Sequence, residues 1–447
     1  MQTLEQLRAG ALQGATRLQL RGGLTDFPRE IFDLADTLEI LDLTGNALCA
    51  LPDDLPRLHK LRILFCSNNR FTELPAMLGR MPALTMVGFR ANRITSVPAT
   101  ALPPALRWLV LTDNQIAHLP DALGRRPALQ KLMLAGNRLR ALPDTMAELH
   151  QLELLRLSAN AFEALPDWLP TLPRLAWLAC AGNPWGAGRA QAMRAAPAAA
   201  IGWQQLTLHE QLGEGASGMI FRADWRHSAG QDKGSTPVAV KLYKSDMTSD
   251  GSPLNEMAAC VAAGRHPNLI PVLGRVTGHP EQAHGLVMAL LDPGFVNLAG
   301  PPSFASCTRD VYDDGKRLDW PAMLAIAHGV AAAAAQLHQR GIVHGDLYAH
   351  NILHDAAGRC VLSDFGAAAF YDPAAPLSAP LQRLEVRAFG LLLEELLALS
   401  APPAALRAGL AALQAACVAP DVTARPLFGT VVTRLHALRQ DAIDRPR

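Results

Sequence analysis

Asparagine returns at positions 46, 69, 92, 114, 137, 160 and 183, at intervals of 22 or 23 residues. Self-similarity at a period of about 20 to 50 residues marks an array in which every unit rests on its neighbours. Each asparagine closes a leucine frame, as in Leu38-Glu39-Ile40-Leu41-Asp42-Leu43-Thr44-Gly45-Asn46. Most units then run into Leu-Pro (Leu51-Pro52, Leu74-Pro75, Leu119-Pro120, Leu142-Pro143, Leu165-Pro166), and the third has Val97-Pro98. A unit this short cannot bury its own apolar face, so the leucines point inward and stacking makes a shared core. The asparagine amide can serve backbone groups at the turn after each strand that would otherwise be buried unpaired. These asparagines therefore read as structural. Residues 15–37 read as a degenerate first unit, with Leu18 and Leu20 in frame and Gly23 where asparagine would stand. Residues 1–14 read as a short helical cap.

The frame resembles the leucine-rich repeat family over residues 15–186, which implies an α/β repeat solenoid, the leucine-rich repeat horseshoe. Strand positions between the inward leucines would face its concave side. They are Ile40, Ile63, Phe65, Met86, Arg90, Trp108, Val110, Lys131, Met133, Leu154, Arg156 and Trp177, an apolar and aromatic stripe. Such a stripe suits a protein or peptide partner held on Phe65, Trp108 and Trp177, or docking on the chain's own second half. The repeats end at Asn183-Pro184-Trp185-Gly186, and the alanine-rich stretch that follows reads as a cap and linker over 187–203.

The second half carries a different set of signals. Gly213-Glu214-Gly215-Ala216-Ser217-Gly218-Met219-Ile220 is a glycine-rich turn between two strand-like runs, which lets backbone N–H groups approach phosphates. Val238-Ala239-Val240-Lys241 follows, then Glu256 in a helical run that has no other acid. Gly285-Leu286-Val287-Met288-Ala289-Leu290 reads as a strand. His344-Gly345-Asp346-Leu347-Tyr348-Ala349-His350-Asn351 and Ser363-Asp364-Phe365-Gly366 complete the series. One such string is common by chance; five in this order are not.

Together they resemble the protein kinase superfamily over residues 204–435, with 436–447 as a C-terminal tail. The resemblance implies an α+β bilobal fold and use of ATP with Mg²⁺ (or Mn²⁺). Gly213, Gly215 and Gly218 would cradle the phosphates. Ile220, Ala239, Met288 as gatekeeper, Ala289 and Leu291 would enclose adenine. Lys241 would bind the α- and β-phosphates, held by Glu256. Asp346 would take or orient the acceptor hydroxyl's proton, and Asn351 and Asp364 would hold the metal. The substrate implied is a protein or peptide.

The chain departs from that pattern in places. Gly345 stands where an arginine usually binds an activation-segment phosphate, and the segment from Asp364 to Pro380 is short, with Tyr371 and Ser378 as its hydroxyl acceptors. Activation by phosphorylation there is therefore not expected. The usual Ala-Pro-Glu has no Glu, which leaves Arg425 without its expected partner, and Glu385 replaces the usual bracing Asp. Tyr348 and His350 match neither the Ser/Thr nor the Tyr signature, and bacterial base rates favour Ser/Thr. The stretch Asp292–Leu318 has no assigned role.

Composition bounds the rest. At 447 residues the chain exceeds one ordinary core. With 49% hydrophobic and 18% charged residues it is globular. A net charge of +1 gives no electrostatic ground for a nucleic acid or membrane partner. Seven cysteines without a C-x-x-C pair fit a reducing, cytoplasmic setting. The N-terminus has no Sec-type pattern, and no apolar run is read as a membrane span; delivery as an effector by another route stays open. Only six of 41 basic residues are lysine, a bias like that of a GC-rich bacterial genome. The expected function is a protein kinase whose repeats recruit a partner or substrate, or inhibit in cis. The alternative is a pseudokinase scaffold that binds nucleotide or partners without transfer.

Overall fold

The computed structural model describes residues 2–194, 198–215, 217–227, 234–244, 248 and 251–444. Ala216 of the glycine-rich turn, 195–197 of the expected linker and 445–447 of the expected tail lie outside them. The chain separates into two compact units, Met1–Leu172 and Pro173–Arg447.

The first unit begins with a helix, α1 (Leu4–Arg8), closed by a capping box between Thr3 and Gln6. Seven short strands follow, one per repeat: β1 (Arg17–Gln19), β2 (Ile40–Asp42), β3 (Ile63–Phe65), β4 (Met86–Gly88), β5 (Trp108–Val110), β6 (Lys131–Met133) and β7 (Leu154–Arg156). They pair in parallel and in register, so Leu41, Leu64, Val87, Leu109, Leu132 and Leu155 form one row. Every residue of that row is buried, as the inward reading of the frame requires. Ile40, Ile63, Met86, Trp108, Lys131 and Leu154 align in a row on the other face. Pro75, Pro120 and Pro143 sit as N-caps of 3₁₀ turns, where the missing N–H costs nothing.

The asparagines hold the ladder together. Asn137 Oδ1 accepts from the Ile116 N–H at 3.0 Å, while its Nδ2 donates to the Leu111 and Leu134 carbonyls at 2.9 and 3.0 Å. Asn69, Asn92, Asn114 and Asn160 repeat this pattern one unit apart. Each side chain thus satisfies backbone groups of two successive repeats.

The second unit opens with β8 (Trp177–Ala179) and α2 (Ala187–Arg194). Its smaller lobe is a six-stranded sheet of β9 (Ala200–Gly202), β10 (Leu206–Glu214), β11 (Gly218–Arg226), β12 (Ser235–Tyr243), β13 (Val272–Thr277) and β14 (Gly285–Ala289). The spatial order is β10-β11-β12-β14-β13-β9, antiparallel except for the β13–β9 pair. Side chains alternate across β12. Val238 and Val240 enter one apolar cluster with Ile201, Leu206, Ala223 and Val287. Ala239 faces the opposite way, into a cluster with Tyr243, Leu286 and Met288 that packs on α3 (Pro253–Ala263). Lys241, two residues on, shares that face and so points at α3.

The larger lobe is built on α4 (Trp320–Gln339) and α5 (Ser378–Ala398), with α6 (Ala404–Cys417) and α7 (Phe428–Asp444) beyond them. Short pairs β15 (Val296–Asn297), β16 (Ile342–Val343), β17 (Ile352–His354), β18 (Cys360–Leu362) and β19 (Ala369–Phe370) carry the loops between. Helix α4 is long and apolar enough, by length and composition, to cross a bilayer, at odds with the reading that no run here could span one. Its apolarity is spent on the lobe core, where Met323, Ile326, Val330, Ala334 and Leu337 are buried.

Candidate active site

The β10–β11 hairpin closes through the Gly215 N–H and the Gly218 carbonyl at 2.9 Å. Its glycines differ in kind. A Cβ on Gly213 or Gly215 would meet nothing within 4 Å, so both line open space, as a phosphate cradle requires. A Cβ on Gly218 would lie 2.4 Å from the Leu242 carbonyl, so that glycine serves strand packing instead. Behind the hairpin, Ile220, Ala239, Met288 and Leu290 share the apolar cluster facing α3. The Ala289 N–H donates to the Pro271 carbonyl at 2.9 Å. Leu291, half-buried, lies past the paired end of β14.

Lys241 meets Glu256 in an ion pair that is nearly closed to solvent. The sequence sets it up from both sides. Alternation in β12 directs the lysine, and α3 starts at a Ser252 N-cap with Pro253 in its first turn, which fixes the phase that turns Glu256 inward. Burial pulls the Lys241 ammonium down, yet the Glu256 and Asp364 carboxylates outweigh it and hold it above its ordinary value. Burial pushes the Glu256 carboxyl up against the pull of Lys241, with the Asp364 charge adding to the rise. Asp364 is thus close enough to act on both partners. It sits in a left-handed conformation, φ 55°, and its Oδ1 accepts from the Gly366 N–H at 3.0 Å.

In the loop from His344 to Asn351, the Asn351 Nδ2 donates to the carbonyl of Asp346 at 2.9 Å and to its Oδ2 at 3.0 Å. Both side-chain hydrogen bonds of Asn351 use Nδ2, which leaves Oδ1 to meet a cation. The Asp346 N–H donates to His344 Nδ1, and His344 Nε2 meets the Ser363 carbonyl, tying this loop to the one that bears Asp364. A carboxylate at 364 and an amide oxygen at 351 are hard oxygen donors, the set that suits Mg²⁺ or Mn²⁺ shared with phosphates.

Glu385 does brace the loop. Its Oε1 accepts from the Gly345 N–H at 2.7 Å, and its Oε2 meets His338 Nε2 at 2.6 Å, all buried. Burial alone would raise its carboxyl, but His338 and then His344 hold it below the ordinary value. The missing arginine also has a cause. Gly345 has φ 75°, and a Cβ there would lie 2.6 Å from the carbonyls of both Leu178 and Ala367. Arg425 is buried with no carboxylate in ion-pair reach among the described residues. Its guanidinium donates to the carbonyls of Ala419, Arg383 and Pro173. Burial and then the nearby Arg387 pull it down from its ordinary value, far too little to discharge it at neutral pH. Of the two activation-segment hydroxyls, Tyr371 is buried and donates to the His338 carbonyl, and Ser378 is buried at the start of α5.

The stretch 292–318 gains a part. Its Asp310 is buried and accepts from both the backbone N–H and the Nδ1 of His350, at 3.0 and 2.7 Å. Burial would lower His350, but Asp310, with Asp346 and Asp364 behind it, raises it. Arg309 and Tyr312 anchor the stretch on Glu395 of α5. No motif marks Asp310, and sequence reasoning missed it. Trp177, expected on the concave stripe, is buried against Tyr348 with ring centroids 4.2 Å apart and an interplanar angle of 6°. Phe65 and Trp108 are half-buried on their strands.

The protein tyrosine and serine/threonine kinase family matches residues 206–374, and the leucine rich repeat family matches 82–139 and 127–184. The chain joins leucine-rich repeats to a protein kinase domain. Curated relatives agree with this over part of their length. A probable inactive leucine-rich repeat receptor kinase, XIAO, of Oryza sativa is 34% identical over 161 residues, 35% of this chain and 13% of the relative. The probable serine/threonine-protein kinase drkC of Dictyostelium discoideum is 29% identical over 167 residues, 36% of this chain and 20% of the relative. The serine/threonine-protein kinase CTR1 of Arabidopsis thaliana is 28% identical over 294 residues, 55% of this chain and 33% of the relative. The chain spans a third or less of the length of these relatives. A kinase domain implies ATP, a divalent metal and a protein substrate in general, and the repeats suggest protein interaction.

Proposed function

We propose that the chain is an active protein kinase that moves the ATP γ-phosphoryl group to Ser/Thr hydroxyls of proteins. The observation that carries this reading is the buried Lys241–Glu256 pair under the charge of Asp364, with Asn351 holding Asp346 in the facing loop. Lys241, kept cationic, would bind the phosphates beneath the open turn at Gly213 and Gly215. Asp346, held by Asn351 Nδ2, would orient the acceptor hydroxyl and accept its proton. Asp364 and Asn351 Oδ1 would hold the metal; Mg²⁺ or Mn²⁺, when bound, neutralises phosphate charge in the transition state. Phosphoryl transfer depends on positioning and charge, and these residues supply both.

We read the setting as the cytoplasm of a bacterium. The lysine-poor composition and seven cysteines, an odd number with no C-x-x-C pair, motivate this. Neither nucleic acid nor membrane is proposed as a partner. The repeats would recruit a substrate or regulator, or act on the kinase domain in cis. The second reading, a scaffold that binds nucleotide without transfer, draws on the rice relative described as probably inactive.

Incubation of the full chain with γ-labelled ATP, Mg²⁺ and a generic acceptor protein separates the two readings. The expected result is labelled phosphoserine or phosphothreonine, and a loss of about a hundredfold or more in Asp364→Ala. Equal background in wild type and Asp364→Ala would favour the scaffold, and label on tyrosine alone would overturn the Ser/Thr assignment.

A further inference from the structure

Asp346 lies between two backbone anchors. On one side the Gly345 N–H is fixed by Glu385. On the other, the Leu347 carbonyl accepts from Trp177 Nε1 at 3.1 Å. The same indole stacks flat on Tyr348. The Leu178 carbonyl, one residue on, occupies the space that any side chain at position 345 would need. The stretch leading to Trp177 is tied down as firmly. Arg425 Nη2 donates to the Pro173 carbonyl at 2.7 Å, and Arg387 Nε donates to the Arg174 carbonyl at 3.0 Å. Both arginines are buried, so each spends a desolvated charge on this segment.

These contacts form one device. The activation segment is short, offers no acidic partner to Arg425 and leaves no room for an arginine at 345. Residues 173–178 fill those places instead: their carbonyls take the Arg387 and Arg425 guanidinium groups, and Trp177 takes the face of the loop. We infer that the segment Pro173–Leu178 is a built-in clamp on the catalytic loop, and that Trp177 is a positioning residue that sets Asp346 for transfer. It acts through the Leu347 peptide and the Tyr348 ring and touches no reacting atom. The clamp is part of the folded chain and needs no phosphate to set it. The inference rests on the kinase reading for its effect on rate, but not for its effect on loop order.

The test uses the full chain with Trp177→Phe, which keeps an aromatic stack and loses the Nε1 bond, and Trp177→Ala, which loses both. The readouts are kcat and ATP KM for phosphoryl transfer, and amide hydrogen exchange over 344–351. The expected result is a kcat lower by about 3- to 10-fold in Trp177→Phe and about 10- to 100-fold in Trp177→Ala, with KM for ATP within about twofold. Exchange should rise over 344–351 in the order wild type, Phe, Ala, and stay unchanged in β10–β12. If Trp177→Ala exchanges faster everywhere it has lost its fold, and Trp177→Phe alone decides. A Phe variant with wild-type kcat and wild-type exchange over 344–351 overturns the inference. If wild type transfers no phosphate, the kinase reading fails by itself; raised exchange confined to 344–351 still supports the clamp, and unchanged exchange overturns it.

Discussion

Individual residues here are set by neighbours far along the chain. Gly345 is a visible anomaly in the sequence, but its reason is not, because the Leu178 and Ala367 carbonyls that forbid a side chain come from elsewhere. Arg425 is the same case: the missing carboxylate is legible, the three carbonyls that replace it are not. Asp310 was invisible because nothing in a long link distinguishes the one acid that folds back on His350. That contact has a pH signature. His350 is raised above its ordinary value, so the pairing contributes stability that is fully present below about pH 6.5 and is lost as pH rises through the folded value. The melting-temperature gap between wild type and Asp310→Asn should therefore be wider at about pH 6 than at about pH 9. A gap that is flat or grows with pH would remove the charge from this account.

Elements whose order repeats or alternates were the easiest to read. The asparagine period gave the strands and turns of the repeats because each unit obeys the same local rules of inward leucine, backbone-capping amide and proline-initiated turn. Lys241 was legible from its motif, and alternation along β12 explains why it faces α3 on the same side as Ala239. The glycine-rich turn was read correctly as a hairpin, yet one of its three glycines serves strand contact, a distinction that only the position of Leu242 reveals. The activation segment shows the reverse. Its brevity gives the expectation of no phosphate switch, and both of its hydroxyl residues, Tyr371 and Ser378, are buried. Ser378→Ala and prior phosphatase treatment should each leave the initial transfer rate within about twofold, as expected of substitutions that touch no transferring group. A lag that preincubation with ATP abolishes, and Ser378→Ala restores, would contradict this.

At the scale of the whole chain, two kinds of order sit in sequence: a repeat unit of one-dimensional stacking and a kinase unit in which the site is assembled from distant segments. The compact division falls at Leu172–Pro173, ahead of the composition shift near residue 200, so the last repeat strand counts with the kinase unit. Composition cannot reveal this, because the residues of that strand obey the repeat frame while Trp177 contacts Leu347 and Tyr348. On the proposed function, the Lys241–Glu256–Asp364 cluster serves phosphoryl transfer. The most direct test follows label from γ-labelled and, separately, α-labelled ATP in the full chain and in Lys241→Met. γ-Label alone should reach protein, and Lys241→Met should lower its rate by about a hundredfold or more. Equal rates in the two proteins, or no γ-label reaching protein from the wild type, would contradict it.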